Sequence, residues 1–312
     1  MPFPIDEKLV IGIASSALFD LRESDRIFRE SGYDAYRIYQ RENENVGLDA
    51  GVAYPFIKRL LSLNSDRWTP VEVVLLSRND TDTGLRVLRS IDLHGLKITR
   101  AAFLKGNSPW PYIPAFRCSL FLSANSVDVK EAIMAGFPAG TVLNSSFKDN
   151  PEDKELRIAF DFDGVLADDE SEKVYQESKD LTAYHDSEKE KALQSLNPGP
   201  LKVLLEKISN LQQIERKLFA ANPAYRPILK TAIITARNSP AAERLVHTLR
   251  AWGITVDQTF LLGGVDKANV LAVFKPQIFF DDQQVHLDTA CGIVPSVHVP
   301  FGIMNEDELQ PA

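Results

Sequence analysis

The sequence predicts an α/β protein made of two parallel-sheet domains with helices on both faces of each sheet. Three observations support this class: short apolar runs alternate with helical patterns, a polar stretch interrupts them near the middle, and the two halves can be aligned. Such alternation is typical of parallel sheets, whose strands are apolar throughout because helices cover both faces.

Ten runs have the length and the β-branched content of buried strands. Five precede the polar stretch: LVIGIA, VEVVLLS, KITRAAFL, CSLFLS and GTVL. Five follow it: LRIAFDF, LKTAIITA, QTFLLG, PQIFFDD and SVHVP. We therefore expect two Rossmann-like sheets.

The polar stretch NSSFKDNPEDKE, residues 144–155, contains a proline and has no apolar periodicity, which predicts a linker. It separates a domain at 1–143 from a domain at 156–312, each of roughly the common domain size of about 150 residues. Each half has an insertion between its first two strands, at about 21–70 and 168–228.

The second insertion reads as helices beside a strand end, which predicts a helical cap over a site. Its charge run DSEKEK predicts a solvated helix face. The same interpretation is favoured for the acidic residues that follow the first strand of this half, Asp168, Asp169, Glu170 and Glu172, although they could also ring the entrance of a site.

Residues 71–124 align with 229–282 without a gap, at a constant offset of 158. Strand falls on strand throughout, and the alignment pairs Arg86 with Arg244, Gly95 with Gly253 and Gly106 with Gly264. An ungapped register across three strands predicts that the two halves arose by duplication, against chance similarity of two α/β units.

Composition narrows the class of protein. The chain of 312 residues has a formal net charge of -8, which argues against broad binding to nucleic acid or to an anionic membrane. Its two cysteines, Cys118 and Cys291, lie far apart and in no metal-binding spacing, so we expect a cytoplasmic protein without disulfides. The N-terminal apolar run is too short to span a bilayer. The sequence is also compatible with a homo-oligomer.

Polar residues follow four strands of the second half. The first strand ends in Asp161 and Asp163, the next in Thr235, the third leads to Lys267, and the fourth ends in Asp281 and Asp282. In open parallel sheets, ligands bind at the carboxyl ends of the strands. Crowded carboxylates repel one another unless a cation holds them, and oxygen ligands suit Mg²⁺. A lysine and a threonine hydroxyl are what a phosphate needs beside the metal, so we expect a phosphoryl ligand.

The series DFDGV, ITAR, GGVDK and FFDD resembles the four motifs of the haloacid dehalogenase-like phosphatases, in the correct order over about residues 156–300. With ADDESE and ALFDLRES, the whole chain resembles the cytosolic type I 5'-nucleotidases, which hydrolyse nucleoside monophosphates, AMP prominent among them. The resemblance implies that Asp161 is a nucleophile forming an aspartyl phosphate and that Asp163 is the general acid and base.

The resemblance also implies a set of binding residues. Those expected to bind the phosphoryl oxygens are Thr235, Ala236, Lys267 and Arg237, the last being equally explained by an ordinary ion pair. Those expected to hold Mg²⁺ are Asp161, Asp163 through its backbone carbonyl, Asp281, and Asp282, the last either as a ligand through water or as an orienting group. His286, shortly after the acidic pair, is expected to be structural.

The alignment of the halves predicts that residues 1–143 are a degenerate copy without catalytic carboxylates. Ser15 is expected opposite Asp161, and Ser123 with Ala124 opposite Asp281 with Asp282. Three alternatives to a nucleotidase remain: a phosphatase for another small phosphate such as a sugar phosphate, a phosphorylatable signalling domain, and a non-catalytic nucleotide sensor. The order Asp-x-Asp, Thr, Lys, Asp-Asp disfavours the signalling domain.

Overall fold

The computed structural model describes residues 3–66 and 68–309 and divides the chain into two compact units, Met1–Val142 and Leu143–Ala312. All ten strands that the sequence predicts are present in the described residues, so the predicted α/β class is confirmed. None of the described helices combines the length and the apolarity needed to cross a membrane.

The first unit contains a parallel sheet in the order β3-β2-β1-β4-β5. Its strands are β1 (Leu9–Ile13), β2 (Val71–Ser77), β3 (Arg100–Phe103), β4 (Leu120–Ser123) and β5 (Ala139–Val142). Its helices are α1 (Ser15–Leu18), α2 (Arg22–Glu42), α3 (Tyr54–Leu61), α4 (Leu85–Leu93) and α5 (Ser126–Met134). Helix α2 is broken at Gly32, which has a φ of 80°.

The second unit repeats this topology with a parallel sheet in the order β10-β9-β6-β7-β8. Its strands are β6 (Leu156–Phe160), β7 (Leu229–Thr235), β8 (Gln258–Leu261), β9 (Ile278–Asp281) and β10 (Ser296–His298). Its helices are α6 (Glu170–Ser178), α7 (Leu181–Glu190), α8 (Lys202–Ala221), α9 (Ala242–Ala251), α10 (Lys267–Phe274), α11 (Gln284–Ala290) and α12 (Glu306–Leu309).

Burial explains why the strands read as unbroken apolar runs. Every residue of β1, β2, β4 and β9 is buried, and a strand can be buried throughout only if both faces of its sheet are covered. In the second unit, Ala159, Ile234 and Phe279 form one core with residues of α10 and α11. Helix α8 packs against β7 and buries Leu204, Leu205 and Ile208.

The two units share their strand register and their loop hydrogen bonds. Leu9 pairs with Val71 as Leu156 pairs with Leu229. The amide of Gly51 donates to the carbonyl of Leu18 at 2.9 Å, and that of Gly199 donates to Leu166 at 2.8 Å. The amides of Leu48 and Leu196 donate to the hydroxyls of Ser90 and Thr248 at 3.0 and 3.1 Å. The likeness therefore extends beyond the aligned segment into both insertions.

This register corrects one sequence assignment. The amide of Ala14 donates to the carbonyl of Leu122, and the amide of Asp161 donates in the same way to Phe280, each at 2.8 Å. Ala14, not Ser15, therefore lies opposite Asp161. The offset of 158 does not extend to β1 and β6, where matching residues such as Leu9 and Leu156 are 147 apart, because the stretch between the first two strands is longer in the second unit.

Candidate active site

The carboxyl edge of the second sheet gathers the residues that follow its central strands. Strand β6 ends at Phe160, immediately before Asp161, while its neighbours β7 and β9 end at Thr235 and Asp281. Parallel neighbouring strands end at the same edge, so the three side chains converge there. Lys267 is the first residue of α10 and enters the same place; its N-cap Asp266 accepts a hydrogen bond from the amide of Ala268 at 2.9 Å.

Lys267 bridges two of the carboxylates. Its Nζ lies 2.8 Å from Asp161 Oδ2 and 2.7 Å from Asp281 Oδ2, and its side chain is 2% exposed. Burial alone would lower the pKa of Lys267, but the charges of Asp161 and Asp281 outweigh burial and raise it. The ammonium therefore stays charged and compensates one negative charge of the cluster.

The remaining negative charge is poorly compensated. Burial, together with the charges of Asp281 and Asp163, raises the pKa of Asp161 to about 7 in spite of Lys267. Burial and the charges of Asp281 and Asp161 raise the pKa of Asp282 well above its ordinary value. For Asp281 burial acts in the same direction, but Lys267 and His286 outweigh it and lower the pKa. Two of the three carboxyl groups thus resist ionisation without a further cation.

The cluster has the donor atoms that a divalent metal requires. One ligand atom each from Asp161, Asp281 and His286 lies within 4.8 Å of the others. Asp282 Oδ1 is buried without a hydrogen-bond partner. An unpartnered buried carboxylate oxygen and a surplus of negative charge fit a hard cation with oxygen ligands.

Gly164 allows the loop after β6 to pass close to this cluster. Its φ is 72°, in the region that favours glycine, and a Cβ added there would lie 2.5 Å from Asp282 Oδ2. The glycine of DFDGV therefore cannot be replaced by a residue with a side chain without displacing a carboxylate of the site.

Asp163 is held by a bidentate ion pair. Arg237 donates from Nε to Asp163 Oδ2 at 2.7 Å and from Nη2 to Asp163 Oδ1 at 2.6 Å. Its other donors go to Glu188, to the carbonyl of Ala241 at 3.1 Å and to Ser171 Oγ at 2.7 Å. All five N–H groups of the guanidinium are therefore used by the protein, which leaves none for the phosphate that the sequence assigned to Arg237.

A cavity of about 430 Å³ opens in front of these residues, a size typical of small-molecule sites. Of the predicted site residues, those that line it are Asp161, Asp163, Thr235, Ala236 and Arg237. Lys267, Asp281 and Asp282 are buried beside Asp161 or at the adjoining strand end. Its other walls include Ser171, Glu172, Tyr175, Gln176, Leu181, Tyr184, His185, Asn238, Gly263, Gly264, Gln283 and His286.

The cap over this cavity is smaller than the insertion. Its lining residues belong to α6 and α7, whereas α8 packs on the sheet and contributes none of the residues named for the cavity. Tyr175 and Tyr184 meet edge to face at 6.5 Å, and His185 contacts Asn238 at 2.9 Å. These side chains give the cavity an aromatic wall.

The structure differs from the sequence analysis at three acidic or basic positions. Glu188, within the run expected to be solvated, is 2% exposed and bonded to Arg237 and Arg244. Asp169 is also buried and accepts a hydrogen bond from the amide of Ile303 at 2.6 Å. His286, expected to be structural, lines the cavity with Nδ1 3.3 Å from Asp281 Oδ1. A pattern of charges along one helix cannot indicate a buried partner on another element.

Comparison with known proteins agrees with this geometry. A family model described as 5'-nucleotidase matches residues 1–306. The chain belongs to the 5'-nucleotidase family. Human cytosolic 5'-nucleotidase 1B is 34% identical over 300 residues, which are 93% of this chain and 48% of that protein. The chain thus spans about half the length of this curated relative.

Among solved structures, histidinol dehydrogenase from Elizabethkingia anophelis matches 93% of this chain and 52% of its own, with 7% identity and a TM-score of 0.22. A likeness of that size carries no argument about function. The family match therefore rests on sequence, and the roles of single residues rest on the geometry of the site.

Proposed function

We propose that this chain is a Mg²⁺-dependent 5'-nucleotidase that hydrolyses nucleoside 5'-monophosphates, AMP foremost, through an aspartyl phosphate on Asp161. The observation that carries the proposal is the cluster of Asp161, Asp281 and Lys267 at one side of a cavity that also contains Asp163 and Thr235. Membership of the 5'-nucleotidase family supports the same reaction. The name of the human relative supports a cytoplasmic location.

The first step would form the phosphoenzyme. A carboxylate oxygen of Asp161 attacks phosphorus, the bond between phosphorus and the 5'-oxygen breaks, and Asp163 gives that oxygen its proton. Lys267 and the hydroxyl of Thr235 balance the charge of the phosphoryl oxygens, with the backbone at Ala236 beside them. In the second step Asp163 takes a proton from water, which attacks the aspartyl phosphate and releases phosphate.

The metal would be held by the carboxylates of Asp161, Asp281 and Asp282 and by the backbone carbonyl of Asp163. When bound, Mg²⁺ neutralises negative charge on the carboxylates and on the phosphate. The unpartnered oxygen of Asp282 and the raised pKa of Asp161 support this set of ligands. His286 is close enough to Asp281 to orient it by a hydrogen bond.

The aromatic wall favours a nucleotide over a smaller phosphate. Tyr175, Tyr184 and His185 line the same cavity as Asp161 and offer ring faces and edges against which the nucleoside of a bound nucleotide would pack. A sugar phosphate has no aromatic group to use them.

We further propose that residues 1–143 are a duplicated copy without catalytic function, joined through 144–155 to a catalytic domain at 156–312 whose cap lies within 168–228. The positions opposite Asp161, Thr235 and Asp281 hold Ala14, Ser77 and Ser123. With the carboxylates opposite Asp161 and Asp281 missing, these positions offer no metal ligand set and no nucleophilic aspartate.

The test is phosphate release from a panel of nucleoside 5'-monophosphates and sugar phosphates, with Mg²⁺ and with EDTA. Asp161→Asn is the blank, because it removes the nucleophile and keeps the volume of the side chain. Metal-dependent release from nucleotides that Asp161→Asn abolishes would establish the proposal. Preference for sugar phosphates would replace the substrate, and binding of nucleotides without turnover would indicate a sensor.

A further inference from the structure

A buried network of charges joins the cap to Asp163. Glu188 of α7 accepts from Arg237 and, at 3.0 Å, from Arg244, and the exposed fractions of the three side chains are 1%, 1% and 3%. Ser171 of α6 donates to Glu188 Oε1 at 2.8 Å and accepts from Arg237. The orientation of Arg237, and through it that of Asp163, is therefore set by both cap helices.

The first unit contains the same arrangement without these charges. Arg86 donates to the backbone carbonyl of Val46 at 3.0 Å and to Gln40 Oε1 at 3.3 Å. Arg244 makes the matching contacts with the carbonyl of Gln194 at 3.0 Å and with Glu188 Oε1 at 3.0 Å. Gln40 thus occupies the position of Glu188.

The position of Arg237 is also neutral in the first unit. The alignment that pairs Ser77 with Thr235 pairs Asn79 with Arg237. Asn79 is uncharged and accepts a hydrogen bond from Tyr36, 2.8 Å away. The loop after β1 provides serines where the second unit has Asp163.

Comparing the two units shows which residue types the fold itself requires at the positions of Glu188 and Arg237. A glutamine and an asparagine are sufficient for the fold at these positions, as the first unit shows. Burying Glu188 and Arg237 as charges costs desolvation energy that neutral residues avoid. The charged pair Glu188 and Arg237 occurs in the unit that contains Asp163, and Arg237 donates to both carboxylate oxygens of Asp163.

We propose that Arg237 and Glu188 are positioning residues that hold the Asp163 carboxylate in the geometry for proton transfer to the leaving 5'-oxygen. The proposal rests on the proposed function, in which Asp163 protonates that oxygen. It replaces the direct phosphate contact that the sequence suggested for Arg237, whose five N–H groups are already donated to the protein.

The test uses the double variant Arg237→Asn/Glu188→Gln, which installs the residues of the first unit and removes one positive and one negative charge together. Its substrates are a nucleoside 5'-monophosphate and the analogue with sulfur in place of the bridging 5'-oxygen. The nucleoside is the same in both, but a thiolate leaves without a proton because its pKa is far lower than that of an alcohol. The measured quantity is kcat/KM, because it includes the step that breaks the bond between phosphorus and the bridging oxygen or sulfur.

We expect kcat/KM for the oxygen substrate to fall about 10- to 100-fold, a part of the usual contribution of a general acid, and that for the sulfur analogue to fall less than about 3-fold. Inhibition by inorganic phosphate should not change. Arg237→Lys, which keeps the charge but not the fork of donors, should recover part of the loss.

The control is Arg157→Asn/Glu155→Gln, which makes the same changes to an ion pair of 2.9 Å at the opposite end of β6. It should leave both substrates at the wild-type rate. Thermal unfolding of both double variants reports on folding, and Asp161→Asn gives the background rate.

Four results would overturn the proposal. Equal losses on the two substrates would mean that the network serves the fold, and loss of inhibition by phosphate would return Arg237 to phosphate binding. Failure of the double variant to fold would refute the argument from the first unit. If wild-type protein turned over neither substrate, the proposed function would fail and the inference with it.

Discussion

At the scale of single residues, the site combines buried carboxylates with one lysine, and this imbalance has a measurable consequence. The pKa values of Asp161 and Asp282 are raised in the folded protein, so the folded state binds protons that the unfolded state has released between about pH 4 and 7. The metal-free protein therefore loses stability as the pH rises through this window, and a cation should restore it.

We expect the melting temperature in EDTA to fall by several degrees between pH 5.5 and pH 8, while Mg²⁺ raises it more at pH 8 than at pH 5.5. Calorimetric scans at both pH values, with and without Mg²⁺, measure both effects. Asp282→Asn, which removes one of the carboxylates, should flatten the dependence in EDTA. A metal-free protein equally stable at both pH values would contradict the raised pKa values.

Gly164 gives a second prediction at this scale. Gly164→Ala places a Cβ 2.5 Å from Asp282 Oδ2 on a backbone with a φ of 72°. We expect turnover to fall at least about 10-fold because Asp282 must move, in addition to a loss of about 1–2 kcal/mol in the free energy of unfolding.

Gly253→Ala is the matched control for that loss. Gly253 has a φ of 67° but nothing within 4 Å of the added Cβ, so it carries the backbone strain without the contact. Its variant should lose similar stability and keep wild-type turnover, both measured by denaturant unfolding and phosphate release. Equal activity of the two variants would show that the contact with Asp282 is unimportant.

Only some of the residues of the candidate site could be predicted from the sequence. The acidic motif, Thr235 and Lys267 could be found because each follows a strand whose apolar run fixes where it ends. Glu188 could not be found, because its partners Arg237 and Arg244 lie on other elements and its neighbours in sequence are charged and exposed.

At the scale of elements, all ten strands were predictable because burial on both faces makes each one a short apolar run between polar loops. The sequence predicted a cap made of the whole insertion at about 168–228, whereas the cavity is lined by residues of α6 and α7. Helix α8 carries Leu and Ile at helical spacing, and this pattern is equally typical of a cap helix and of a helix packed on the sheet, as α8 is.

The division of the insertion predicts which helix sets substrate preference. Tyr184→Leu on α7 removes part of the aromatic wall, so we expect KM for AMP to rise about 10-fold while KM for a sugar phosphate changes less than about 2-fold. Steady-state kinetics on both substrates tests this.

Phe219→Leu on α8 is the control, because Phe219 is 46% exposed and is not among the residues of the cavity. It should leave both KM values unchanged. Parallel increases in KM for the two substrates in Tyr184→Leu would mean that Tyr184 acts on the phosphate end of the site and not on the base.

At the scale of the whole molecule, the chain carries the same α/β unit twice, and the sequence alignment found this only in part. The constant offset held over β2 to β4 and their partners β7 to β9, where no residue is inserted. It failed before β2 and β7, because the stretch between the first two strands is longer in the second unit: Leu9 and Val71 are 62 positions apart, whereas Leu156 and Leu229 are 73 apart. In the insertions, equivalent backbone hydrogen bonds, such as those of the Gly51 and Gly199 amides, show the similarity of the two units that the sequence alignment does not show.

The repeated topology makes a prediction about metal stoichiometry, because of the two units the second has carboxylates at the ends of its first and fourth strands and the first has Ala14 and Ser123 there. We expect one Mg²⁺ per chain by titration calorimetry on the whole protein. Asp281→Asn should weaken binding at least about 10-fold, since it removes one ligand of a small set. Ser123→Ala, at the matching position of the first unit, should leave the affinity and the stoichiometry unchanged. A second equivalent of Mg²⁺ that Ser123→Ala removes would show that the first unit binds metal without carboxylates. The first unit would then have a metal site of a different kind, and it would not be a copy that has lost its metal site.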